Sequence, residues 1–185
     1  ADADRSYLLR ASLLVLLEYR QTALETIHIQ PYNKRKPPIY KRKGDRLFMA
    51  LQKCGLNLNR VAKELQPHGS LDFPCAGYSS HHLARTEDII PWHWHEEIEI
   101  IYISHGRMQI KTSASSFVLG EGDLAAINAN TLHFASASPE GTLCSLVFSP
   151  LLITGNQESA FSTKYIQPLL SCRSFTGWQI DGTDK

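Results

Sequence analysis

The chain lacks the features that would place it in a membrane, an oxidising compartment or a nucleotide site. No stretch approaches the roughly 18 consecutive apolar residues of a membrane helix. The apolar run 13–17 is far shorter, and Arg10 and Glu18 bracket it. A secretory signal starts with basic residues, whereas this chain opens on Ala1-Asp2-Ala3-Asp4. Only four cysteines occur (Cys54, Cys75, Cys144 and Cys172), and none forms a CxxC pair. Scattered thiols of this kind suit a reduced, cytoplasmic protein and exclude a disulfide framework. There is no internal repeat and no phosphate-binding glycine loop. Ser149 has no GxSxG elbow around it, which sets serine hydrolase chemistry aside.

A net charge of one sign is also missing, since the formal value is only +1. That figure hides an asymmetry. Residues 1–48 hold ten Lys/Arg against five Asp/Glu, and the remainder holds nine against thirteen, so the head is +5 and the body −4. The positive charge sits in Lys34-Arg35-Lys36 and Lys41-Arg42-Lys43, around Pro37-Pro38. Such a cluster can meet phosphates, but without a groove-entering pattern it reads as a solvated segment.

What is present changes character along the chain. Leu9, Leu13, Leu16, Leu17 and Leu24 recur at helical spacing and predict a helix over 8–27. Residues 30–45 read as a linker. A second helix is expected over 47–65, with Leu51, Val61 and Leu65 on its buried side and Pro67-His68-Gly69 ending it. From Phe73 onward the pattern becomes short strands and turns: 76–81, 89–95, 98–104, 107–112, 116–119, 123–127, 132–137 and 143–148. His105-Gly106, Gly120-Glu121-Gly122, Asn128 to Asn130 and Pro139-Glu140-Gly141 mark turns between them. Strands at this spacing suit a mainly β jelly roll. Residues 159–170 then read as a helix interrupted by Pro168.

The most informative stretch is His93-Trp94-His95, followed by Glu99 and Gly106. Side chains alternate faces in a strand, so His93, His95, Glu97 and Glu99 share one side. His133 can join them from a partner strand. Two or three histidines with a carboxylate form a ligand set for Zn, Ni, Fe or Mn, and the same groups can instead line a metal-free small-molecule pocket. Glu97 can orient a histidine from behind. Trp92 and Trp94 point the other way and read as packing residues, and Ile98, Ile100 and Tyr102 on that face read as core. His68, His81, His82 and His105 have no partner at ligand spacing. Cys75 and Cys144 lie among apolar residues and read as packed thiols.

His93, His95, Glu99 and Gly106 fill each position of HxH-x3-E-x6-G, the first motif of the cupin superfamily, which this chain resembles. A second motif, P-x-G-x-x-H with an asparagine four residues later, is reduced here to Asn128, Asn130, His133 and Ala137. Glu87 stands where a glycine usually precedes the first histidine. Within that superfamily the chain is similar to the N-terminal sensor domain of AraC-type transcription regulators. The residues that carry this likeness are Glu64-Leu65-Gln66-Pro67-His68-Gly69, Phe73-Pro74, Tyr78 and Trp92 through Ile103. Gly122-Asp123-Leu124, Asn128 through His133 and Val147-Phe148-Ser149-Pro150 continue it.

The resemblance implies a cupin double-stranded β-helix barrel with flanking α-helices at both ends. In such regulators the barrel binds a small effector, often a sugar. The helices after it dimerise, and a separate C-terminal helix-turn-helix domain binds DNA. The expected organisation is an extension over 1–48, a helical lead-in over 49–72, the sensor barrel over 73–150 and a helical dimerisation segment over 151–185. Met49 stands where family members begin, which reads 1–48 as outside the native protein, and no DNA-binding half is expected before Lys185. The function implied is effector binding and homodimerisation without catalysis. The alternative is a stand-alone metal cupin enzyme, a dioxygenase or isomerase.

Overall fold

Alternating apolar and polar residues, many of them β-branched, produce eight strands among the described residues. They are β1 (Gln52–Lys53), β2 (Cys75–Leu83), β3 (Ile90–His93), β4 (Ile98–Thr112), β5 (Ser116–Gly120), β6 (Leu124–Ile127), β7 (His133–Phe148) and β8 (Gly177–Ile180). The chain divides into two units after Leu51. The computed structural model describes residues 52, 53 and 55–180, all in the second unit. The expected helix over 8–27, the linker over 30–45 and the extension 1–48 lie outside the described residues.

Two long strands organise the barrel. β4 and β7 run antiparallel along their whole length and bend together, with register shifts between Ile103 and His105 and between Gly106 and Met108. Past that bend each crosses from one layer to the other. One layer has the order β1-β2-β7-β4-β6-β8, and β3 and β5 flank the other halves of β7 and β4. The turns expected at His105-Gly106 and Pro139-Glu140-Gly141 are therefore not chain reversals. They are the facing bends of continuous strands, with Gly106 paired to Gly141. Gly106 sits at φ +72°, and a Cβ there would collide with the Glu140 carbonyl. Close strand approach at the bend requires glycine.

The core lies between the layers. Ile101, Ile103, Met108, Ile110, Leu119, Ala125, Ile127, Ala135 and Leu143 form one buried cluster. Each fully buried isoleucine there contributes about 1.5–3 kcal/mol relative to exposure. This corrects the expected core face of β4, except at Ile98, which is buried. Ile100 and Tyr102 are half-buried on the outside, while Ile101 and Ile103, on the face shared with Glu99, are enclosed. The barrel has one interior, and both the core and the polar cluster occupy it.

The helix expected over 47–65 is not seen among the described residues. Asn59 accepts hydrogen bonds from the backbone N–H groups of Val61 and Lys63 at 2.9 Å through its side chain. Ala62 adopts φ +59°, and Lys63 bridges to Trp94. Asparagine offers the backbone an alternative to helical bonding, and the pairing with Trp94 completes it. Val61 and Leu65, expected to be buried, are 67% and 54% exposed. The helix expected over 159–170 forms with a π-helical turn, Ser162–Ile166, before Gln167–Leu170. Gln167 N–H bonds to the Ser162 carbonyl, and Pro168 follows with no N–H to give. Residues 151–185 do not all leave the barrel, because β8 returns to pair with β6.

Candidate functional site

The residues singled out by the HxH pattern converge at one end of the barrel. His93 closes β3, and its cross-strand partner is His133, the first residue of β7. His95 lies in the connection to β4, and Glu99 is the second residue of β4. All four are buried. Ring centroids are 4.1 Å apart for His93 and His133, 5.2 Å for His95 and His133, and 6.0 Å for His93 and His95. One ring nitrogen from each histidine lies within 4.8 Å of the others, a spacing that could hold a metal ion.

The backbone sets the tautomers. His93 Nδ1 contacts the Pro91 carbonyl at 2.8 Å, His133 Nδ1 the Thr131 carbonyl at 2.8 Å and His95 Nδ1 the Glu97 carbonyl at 3.1 Å. A carbonyl can only accept, so each Nδ1 carries the proton. In a neutral ring Nε2 is then a bare lone pair, and in a protonated ring it is a second donor. Nε2 of His95 and of His133 is buried with no aligned hydrogen-bond partner. Glu99 Oε2 lies 3.1 Å from His133 Nε2 and 3.7 Å from His95 Nε2, and each contact becomes an ion pair when the imidazole is protonated.

Electrostatics separate the four groups. Burial, then the charge of His133, pushes His93 down to about 4, against the pull of Glu99. His93 is therefore neutral at physiological pH, as a metal or hydrogen-bond acceptor must be. Burial also pushes Glu99 up, but contact with His133 and His95 outweighs it and holds the carboxyl well below the usual range. For His133, burial pulls down and Glu99 pulls up, with a net rise. Glu97 is half-buried and stands behind His95, its Oε2 3.7 Å from Nδ1. Its place is at the orienting nitrogen, away from the point where the Nε2 atoms meet.

Two residues that sequence spacing did not connect to the site join it. Glu64 and His68 come from the irregular segment before β2, with side chains only 3% and 2% exposed. His68 Nδ1 is 2.8 Å from the Tyr78 hydroxyl, its ring lies 5.3 Å from that of His95, and its Nε2 is 3.5 Å from Glu64 Oε2. His68 Nε2 has no aligned hydrogen-bond partner. The segment is fastened by Glu64 N–H to the Trp94 carbonyl (2.9 Å), Trp94 N–H to the Ala62 carbonyl (3.0 Å) and Trp94 Nε1 to the Val61 carbonyl (3.0 Å). Lys63 pairs with Glu96 and lies 5.3 Å above the Trp94 ring. Trp94 thus packs on this segment, while Trp92 stacks on Phe134 at 5.6 Å. Only the adjacency of Glu64 and His68 at i, i+4 hinted at a pair. His81 and His105 stay exposed, and His82 is held by Ser80 and Asp88 away from the cluster.

The cavity enclosed by these groups and by Ile90, Ile101, Ile110 and Val147 has a volume of about 30 Å³. On the measure in which one water takes about 10–15 Å³, that is room for two or three waters. Three histidines with a ring nitrogen each within 4.8 Å of the others, beside a carboxylate, form a ligand set for a divalent ion once the rings are neutral. A metabolite needs more room.

A two-layered antiparallel barrel with a histidine cluster inside one end defines a cupin-type ligand-binding module. The chain belongs to the AraC-like ligand binding domain family, whose model matches residues 77–177. It is 29% identical over 116 residues to the uncharacterized HTH-type transcriptional regulator YdeC of Bacillus subtilis (strain 168). That match covers 61% of this chain and 38% of the relative, so the chain spans well under half the relative's length. Among solved structures, an RmlC-like cupin from Shewanella frigidimarina NCIMB 400 overlaps 40% of this chain and 65% of its own, at 16% identity and TM-score 0.37. The DMSP lyase DddQ from Ruegeria pomeroyi DSS-3 overlaps 46% and 41%, at 22% identity and TM-score 0.38. Among the described residues, no helix is long and apolar enough to cross a membrane.

Proposed function

We propose that this chain is the effector-sensing unit of a cytoplasmic transcription regulator, with its ligand site inside the barrel at His93, His95, Glu99 and His133. The observation that carries the reading is the convergence of three buried histidines, with a ring nitrogen of each within 4.8 Å of the others and Glu99 beside them, on a cavity inside the barrel. Leaving such groups unsatisfied costs about 1–3 kcal/mol each, and a bound ligand removes that cost. Family membership and the likeness to a helix-turn-helix regulator support sensing over catalysis.

A divalent ion bound by the triad would supply a Lewis-acid centre for an oxygen of the effector. His93, His95 and His133 would hold it, Glu99 would balance its charge, and Glu97 would fix the His95 ring. An effector larger than this space would contact the segment carrying Glu64 and His68, which lines it. Its binding energy would then act on that segment, and it shifts the equilibrium only by its differential affinity for the two arrangements. Contact with DNA would be made by a helix-turn-helix domain outside residues 1–185. Homodimerisation would use the post-barrel helix, where Phe161 and Tyr165 are exposed with rings 5.5 Å apart. Sedimentation equilibrium at tens of micromolar tests this, and a clean monomer overturns it.

Thermal melting of the full chain against a panel of sugars and small organic acids, with Zn2+ and with a chelator, tests the sensing role. A saturable rise in Tm that His133→Ala abolishes is the expected result, and no rise with any compound overturns it. The triad with Glu99 beside it also favours a second reading, a metal-dependent cupin enzyme. His95→Ala separates the two, since an enzyme loses turnover and a sensor loses only ligand affinity.

A further inference from the structure

We infer that Glu64 and His68 are ligand-contacting residues. Together they hold a water on a divalent cation seated at the histidine triad, so that the cation fastens residues 55–74 onto the barrel. This rests on the reading that the barrel interior is the binding site, and it names the ligand that the closed form takes.

Size decides the class of ligand. The enclosed volume is about 30 Å³, enough for an ion with one or two waters on the measure used above. Small-molecule sites usually run to several hundred Å³. While the segment before β2 stays where the structure places it, the space beside the histidines fits a hydrated ion, and a sugar would have to extend beyond it.

Geometry decides the role. The triad nitrogens lie within 4.8 Å of one another, and His68 is not among that group. His68 therefore reaches the ion through an intervening water and is not a fourth direct ligand. Its Nε2 is buried and unpartnered, and Glu64 Oε2 is 3.5 Å from it. A water on the ion can donate to the Glu64 carboxylate, and its oxygen can meet His68 Nε2–H once Tyr78 donates to Nδ1. Neither residue has an apolar reason to be enclosed. At 3.5 Å the two offset each other's burial only in part, and a shared water between them and the ion completes it. Trp94 carries the coupling, because its backbone and indole N–H hold Val61, Ala62 and Glu64 while its neighbours His93 and His95 face the ion.

The test uses the full chain and Zn2+ alone. Zn2+ affinity is measured by competition with a chromophoric chelator, and amide hydrogen exchange is followed at Glu64, Leu65 and Trp94 with and without the ion. Wild-type protein should bind Zn2+ and gain protection at those amides. Glu64→Gln and His68→Gln, which keep the side chains polar and close in size, should melt as wild type without metal. They should bind Zn2+ about 10- to 100-fold more weakly, the range for groups behind metal ligands, and lose the gain in protection. His93→Ala should abolish binding outright. If the two variants bind and protect as wild type while His93→Ala does not bind, the inference fails and the barrel site stands. If wild-type protein binds no Zn2+, the inference also fails, and the sensing role then rests on the metabolite panel.

Discussion

His93 and His133 are cross-strand partners whose rings lie 4.1 Å apart, and each donates from Nδ1 to a carbonyl two residues earlier in its own chain segment. The same local geometry, built twice on facing strands, leaves a ring nitrogen of each within 4.8 Å of the other. We predict that His133→Ala and His93→Ala each remove any stabilisation of the protein by Zn2+ or Ni2+. Ion at a hundredfold its dissociation constant should stabilise the wild-type chain by about 2.7 kcal/mol. Calorimetric melts with ion and with chelator measure the difference, and an equal ion-dependent shift in either variant would exclude the triad as the site.

The facing bends of β4 and β7 make a second prediction. Gly106→Ala places a methyl against the Glu140 carbonyl at φ +72°, whereas Gly122→Ala, at φ +90°, meets nothing within 4 Å. Both pay the left-handed cost of about 1–2 kcal/mol, and only the first adds a backbone collision. Urea melts should show Gly106→Ala at least 1 kcal/mol worse than Gly122→Ala (about one extra steric clash). Equal costs would mean that the bend relaxes freely.

The His93–His95–Glu99 set was legible from the HxH-x3-E spacing, although His95 lies in the connection between β3 and β4 and not on one alternating strand with the others; the cross-strand pairing brings in His133. Glu64 and His68 were not, since their contact with His95 spans an irregular segment whose path depends on Asn59, Ala62 and the Trp94 bridge. The face of β4 shows a subtler limit. Alternation correctly separated Ile98, Ile100 and Tyr102 from the histidines, but it cannot say which face is enclosed. Strand β8 was missed because Gly177–Ile180 is short and follows a helix, so only its pairing with β6 reveals it. We predict that Ile103→Ala costs about 2–5 kcal/mol and Val61→Ala less than about 0.5 kcal/mol, since Ile103 is 0% exposed and Val61 67%. Similar losses in chemical denaturation would contradict the enclosed face assigned here.

Cysteine chemistry offers a pH-dependent check. Burial pushes the Cys75 thiol up to about 11. The thiolate is the reactive form, so labelling of Cys75 in the folded chain should be negligible near pH 7.5 and climb as pH approaches 11. Because the folded value is raised, Cys75 contributes stability below the unfolded thiol's pKa of about 8.5, and loses it as pH rises toward 11. Cys144 and Cys172 are half-buried and should react first with N-ethylmaleimide. Mass spectrometry of labelled peptides reads the order, and early modification of Cys75 would show that β2 opens readily.

Asn128 ties the post-barrel segment to the barrel. Its Nδ2 donates to the Leu169 and Phe175 carbonyls at 3.0 Å each, and its Oδ1 accepts from Ala129 N–H at 2.9 Å. The hydroxyls of Thr112 and Thr176 add a 2.8 Å contact beside it. Asn128→Ala would take the side-chain partner from the Phe175 carbonyl and the Ala129 N–H, while the Leu169 carbonyl keeps Cys172 N–H at 3.1 Å, a cost of about 2–4 kcal/mol if they stay buried. Asn128→Asp keeps the acceptor to Ala129 but sets a carboxylate against two carbonyls, and should be at least as damaging. Hydrogen exchange locates the effect: amides of β8, paired with β6 across Leu124 to Ile127, should lose protection before those of β4 and β7. Loosening of the whole barrel at once would show instead that the post-barrel segment and the barrel unfold as one cooperative unit. Any signal passed from the barrel to the helix carrying Phe161 and Tyr165 would then travel through that unit rather than through Asn128.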